Sequence, residues 1–118
     1  MAKGSGTTRS GSSSNPTATG RGSYIQVVNS IVNAPERIEA GNVIQRIINL
    51  ATDKSRTDRE ANRELNTLRK EFAKQKEGLD QKFEKIKNMS GRNDALQAIR
   101  NLTESYSSAL DFYERNRS

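Results

Sequence analysis

Glu77, Asp80 and Glu84 stand three and four residues apart, the spacing at which helical side chains share a face. Carboxylates grouped in this way can hold a divalent cation or divide acid and base roles between them. The rest of the chain does not support either use. Among its 118 residues there is no histidine and no cysteine, which removes the commonest general base, the commonest nitrogen ligand and every thiolate. A carboxylate di-metal bundle places a histidine three residues after a glutamate, and no such pair exists. Counted from Leu79 as a core position, all three acids point to solvent. Tyr24, Tyr106 and Tyr113 lack any catalytic companion and suit the edge of a core, with a wet hydroxyl. The expectation is a non-enzymatic protein with no metal, no cofactor and no small-molecule substrate.

A second chemistry lies in the basic run Arg69-Lys70-Glu71-Phe72-Ala73-Lys74-Gln75-Lys76. Arg69, Lys70, Lys74 and Lys76 could track a phosphate backbone, assisted by Arg9 and Arg21 near the N-terminus. The competing reading is the solvated face of a helix with acids interleaved. The net charge of +6 gives limited support, because the first 23 residues hold three cations and no acid while the remainder mixes 17 basic with 14 acidic residues.

These groups must be positioned by helices. Ala61, Leu65, Leu68, Phe72, Leu79, Phe83, Ile86 and Met89 recur mostly three and four apart. After Ser90-Gly91-Arg92-Asn93 the pattern resumes at Ala95, Ile99, Leu102, Tyr106, Ala109 and Tyr113. Seven-residue periodicity of this kind predicts a long antiparallel, coiled-coil-like hairpin with helices over 57–89 and 94–115. Thr57-Asp58-Arg59-Glu60 fits a capping box, Gly91 suits the left-handed end of the first helix, and Asn93 suits the cap of the next. Gln75 and Lys82 occupy seam positions with Gly78 between them. They mark a bend, a partner site or a seam end poorly covered by the shorter helix.

Upstream, Ser23-Tyr24-Ile25-Gln26 fits another capping box and Pro35-Glu36 another helix start, which predicts helices over 24–33 and 36–51. Gly41-Asn42 could divide the second of these. One stripe per helix buries too little to order an isolated hairpin. Residues 24–51, the most apolar part, should therefore cover it, or a second copy should. The fold expected is all-α: a hairpin capped by one or two short N-terminal helices, forming one domain over 24–118. Residues 1–23, of which 15 are Gly, Ser or Thr, are expected to be a disordered leader.

The segment Met1-Ala2-Lys3-Gly4-Ser5-Gly6-Thr7-Thr8-Arg9-Ser10 resembles leaders on small phage and mobile-element proteins of gut Bacteroidales. The resemblance covers the leader alone and carries no functional residue. It implies a phage structural or host-interaction component.

The leading functional expectation is an assembly or adaptor protein acting through helix-mediated protein contacts, as a homo-oligomer or with a phage or host protein. Val27, Val28, Ile31, Ile44, Ile47 and Ile48 are its interface candidates, because they supply more apolar area than one side of a short hairpin hides. The rival is a small nucleic-acid-associated protein. No apolar run approaches the length of a membrane span and no signal-peptide pattern follows Lys3, so a cytoplasmic protein, or a virion component, is expected.

Overall fold

The computed structural model describes residues 17–117 of the chain, with side chains from Ser23 onward. Four helices account for nearly all of them: α1 (Thr17–Val32), α2 (Pro35–Ala51), α3 (Asp58–Ile86) and α4 (Arg92–Arg117). No strand occurs among the described residues. α3 and α4 form the expected antiparallel hairpin. Phe72 and Tyr106 stack across it with ring centroids 3.8 Å apart, and the Tyr113 hydroxyl donates to Asn62 Oδ1 at 2.5 Å nearer the open end. The two short helices lie along one side of the hairpin. The first turn of α2 meets Lys82, and Leu50 near its end meets Arg117, so α2 runs antiparallel to α3 and parallel to α4.

The helix ends follow local chemistry. Thr57 Oγ1 accepts from the Glu60 N–H at 3.1 Å while Glu60 Oε1 accepts from the Thr57 N–H at 3.0 Å, completing the capping box that starts α3. Pro35 begins α2, its missing N–H being one the first turn would leave unpaired in any case. Arg37 Nε reaches back to the Val32 carbonyl at 2.7 Å and satisfies the end of α1. Gly91 has φ 97°, and a β-carbon there would lie 2.9 Å from the Tyr24 carbonyl oxygen. Glycine is required twice over, for the left-handed backbone and for the close approach of α1.

Several boundaries differ from those expected. α1 begins at Thr17, so Ser23 lies within a helix and does not cap one; residues 1–16 of the expected leader lie outside the described residues. Gly41-Asn42 does not interrupt α2, since its neighbours Ala40 and Val43 are both fully buried and hold the helix on course. α3 ends at Ile86, which leaves Met89 50% exposed outside the core. Asn93 lies inside α4 because that helix starts at Arg92, directly after Gly91.

The core is continuous through all four helices. Ile31, Ala40, Val43, Ile47, Ala61, Leu68, Leu79 and Ala95 are almost wholly removed from solvent. α2 packs more extensively on α3 and on α4 than those two pack on each other. The hairpin is therefore not a closed two-helix seam. It is wedged along its length by the apolar face of α2, and only with α2 in place do the three stripes bury one another.

That wedge explains the polar break in the α3 pattern. The first turn of α2 crosses α3 at Gly78, where an added β-carbon would lie 3.0 Å from Glu36 Cγ. Glu36 Oε1 pairs with Lys82 Nζ at 2.9 Å, and Gln75 Nε2 donates to Glu71 Oε2 at 2.7 Å. Gly78 and Lys82 mark a helix crossing within the chain, not a poorly covered seam end, and Gln75 is satisfied within α3 one turn before it.

The hydrogen bond from Lys82, helped by Glu36's own backbone N–H, holds the Glu36 carboxyl below its ordinary value of 4.5. A carboxylate lowered in the folded state adds stability that is fully present above its ordinary value and lost as pH falls through the lowered one. Asp53, bonded to Ser55, and Glu60, bonded to Thr57, are lowered in the same sense. Glu36→Gln should therefore flatten, but not abolish, the loss of Tm below about pH 4.5. Thermal melts across that acid range test this, and an unchanged acid limb would show that the pair contributes nothing to folding.

Candidate functional site: a groove and a cationic face

The acids singled out in the sequence are surface groups. Glu77, Asp80 and Glu84 are all exposed. Asp80 accepts from Lys76 Nζ at 2.9 Å and Glu84 from Lys87 Nζ at 2.8 Å, so two of the three close local lysine pairs on the helix surface. Tyr113 is buried and its hydroxyl is bonded to Asn62, not left wet; burial raises its phenol above the ordinary value of 10.0. Tyr24 and Tyr106 are half-buried.

The expected interface residues are divided by the fold. Val27, Ile31, Ile44 and Ile47 are buried within the chain's own core, Ile48 is half-buried against it, and Val28 is half-buried beside Gly91. Their apolar area is thus hidden mainly by α1 and α2 folding onto the hairpin. The surplus expected to drive self-association is not on the surface, which corrects that assignment for Val27, Ile31 and Ile47; Ile44 keeps only an edge, 8% exposed.

What remains open is a groove of about 870 Å³ between α2 and α4. Ile44, Ile48, Ala109 and Phe112 supply its apolar lining, and Asn101, Glu104, Ser105, Ser108 and Arg115 the polar part. Ile44 and Ile48 are one turn apart on α2. The α4 residues between 101 and 115 recur at helical spacing over about 21 Å. Small side chains at Ser105, Ser108 and Ala109 allow another backbone to approach closely. At Gly41, further up α2, a β-carbon would meet nothing within 4 Å. Ile48 belonged to the sequence expectation; Phe112 and the serines did not, because they fall between the heptad positions that define the hairpin core.

The expected basic ridge is also redrawn. Lys76 is engaged by Asp80. Arg69 faces the α3–α4 cleft that it lines with Asp111, Glu114 and Arg117. Lys70 and Lys74 stand exposed on the outer face of α3, and with them stand Arg59 and Arg63, which sequence reading left out. Of the two cations near the N-terminus, Arg9 lies outside the described residues and Arg21 is described only as part of the α1 backbone.

The other end of the bundle is closed by Arg117, whose side chain is only 7% exposed. Its Nε donates to the Leu50 carbonyl at 2.9 Å and Nη1 to the Arg56 carbonyl at 3.3 Å and to Asp58 Oδ1 at 2.8 Å; Nη2 reaches the Asp53 carbonyl. One guanidinium thus caps the C-terminus of α2 and fixes the loop that leads into α3.

The architecture defines a helical bundle in which a long hairpin is wedged by a helix broken at Pro35. No protein family, curated protein or solved structure matches the chain. Among the described residues, no helix is long and apolar enough to cross a membrane.

Proposed function

We propose that this chain is a non-enzymatic adaptor that holds an amphipathic helix of a partner protein in the α2–α4 groove. The observation that carries this reading is the groove itself. It has an apolar floor of Ile44, Ile48 and Phe112 and a rim of hydroxyl, amide and charged groups, and it runs parallel to two helices for about four turns of α4. Helix-in-groove recognition uses this arrangement, with apolar anchors one turn apart and polar groups setting register at the edge. A separate protein suits the groove better than a second copy. An obligate homodimer buries roughly 2,000 Å² or more of mainly apolar surface, and the strongest apolar residues of α1 and α2 are already consumed inside the fold. The setting that the leader resembles would make the partner a phage or host protein.

The test is a photo-crosslinking residue at Ser108, with a control at exposed Arg100 on another face of α4, in cells expressing the full chain. Peptide mapping should place the Ser108 adducts on an amphipathic helical segment of one other protein, and Phe112→Lys should abolish them. Equal adducts from both positions, or adducts only to a second copy of the chain, would overturn the reading.

A further inference from the structure

Arg59, Arg63, Lys70 and Lys74 follow one another at intervals of four, seven and four residues along α3. At 3.6 residues per turn they lie within roughly 60° of one another and span about 22 Å. All four are exposed, directly opposite the buried stripe of Ala61, Leu65, Leu68 and Phe72. Among the described residues, none of the four has an acidic side chain within salt-bridge distance. The acids of the same stretch are committed elsewhere. Glu60 closes the capping box with Thr57, Glu64 pairs with Arg56, and Glu71 takes the Gln75 amide.

We infer that this face of α3 is a binding surface for the phosphate backbone of duplex nucleic acid. Two features point to a ligand and not merely to a solvated helix face. Cations in the first turns of a helix oppose the positive end of its dipole, so Arg59 and Arg63 do not serve the stability of α3; they add to the field an anion would meet there. The row is also straight and rigid, because the opposite face of the helix is locked into the core. Over about 22 Å it spans the axial rise of roughly six phosphates on one strand.

The composition of the face selects the kind of polyanion. It carries no aromatic side chain, so it offers no stacking platform for single-stranded bases. It carries no long apolar side chain either, so nothing would enter a lipid surface. Asn66, exposed between the two cation pairs, can donate its side-chain amide to a phosphate oxygen. With no element shaped to enter a groove, binding should be indifferent to sequence. The surface stands apart from the α2–α4 groove, and the inference does not rest on that groove's role.

The experiment is fluorescence anisotropy of a labelled 20-bp DNA duplex against the full chain at a series of salt concentrations. Four phosphate contacts give a slope of log affinity against log salt near −3.6, or about a 150-fold loss between 50 and 200 mM. Replacing all four residues by glutamine (Arg59→Gln, Arg63→Gln, Lys70→Gln, Lys74→Gln) should remove most of that slope and weaken binding at 50 mM by about 100-fold. A control removing the same charge elsewhere (Arg46→Gln, Lys85→Gln, Arg92→Gln, Arg100→Gln) should stay within about threefold. Circular dichroism on both variants separates loss of binding from loss of fold. Three outcomes overturn the inference: no binding at low salt, equal weakening by the two variants, or competition by an acidic polypeptide as effective as unlabelled duplex at equal charge.

Discussion

Leu68→Asp is expected to unfold the protein, and Ile47→Asp to do the same from a different helix. Leu68 is 1% exposed on α3 and Ile47 is 0% exposed on α2, both within one continuous core. Losing a buried leucine or isoleucine side chain costs about 2–5 kcal/mol. An aspartate in its place must also be desolvated without a partner or be protonated, which adds several more. Domains of this size hold only about 5–15 kcal/mol of stability. Ile38→Asp is the comparison: at 55% exposure on the same helix as Ile47 it should change stability by less than about 0.5 kcal/mol. Circular dichroism and urea titration separate these cases. A folded, cooperative Ile47→Asp variant would mean that the hairpin stands without its wedge.

Arg117→Met should cost about 2–3 kcal/mol, although the residue lies in the last turn of α4. Its guanidinium is the donor for the Leu50, Asp53 and Arg56 carbonyls, and a hydrogen bond from a charged group to such an acceptor contributes about 1.5–3 kcal/mol. The pairing with Asp58 adds little, because that carboxylate is 70% exposed and screened. Asp58→Asn should accordingly be mild. Arg117→Lys should recover less than half of the loss, since one ammonium cannot reach a fork of three carbonyls. Hydrogen exchange should localise the effect to residues 52–57, which lose their anchor. If Asp58→Asn proved as costly as Arg117→Met, the interaction would be an ion pair and not a cap on α2.

Both predictions depend on contacts between segments far apart in the chain. The heptad spacing of α3 and α4 was sufficient to name eleven of the residues that the fold buries there, from Ala61 to Tyr113. Thr57 with Glu60, Pro35 and Gly91 were legible too. A cap, a proline at a first turn and a left-handed glycine are each determined within four or five residues. The start of α1 was misplaced for the same kind of reason. Ser23 with Gln26 satisfies a capping pattern locally, whether or not a helix already runs through it.

Position in space was a different matter. Gly78 and Lys82 read as a flaw in a seam until α2 is laid across them and Glu36 settles over the glycine. Arg117 reads as an ordinary cation at a helix C-terminus, yet it is buried among the carbonyls of a loop more than fifty residues earlier. Val27, Ile31 and Ile47 read as surplus apolar surface and form part of the core, while the edge of Ile44 is left with Ile48 and Phe112 to line a groove. Periodicity establishes which side of a helix is apolar. Which other apolar side it meets is decided by the joint burial of three stripes, a property no single stretch of sequence contains. The division of the basic residues into a free row on α3 and paired or cleft-facing groups has the same origin, because each charge is freed or engaged only by what the packed helices bring beside it.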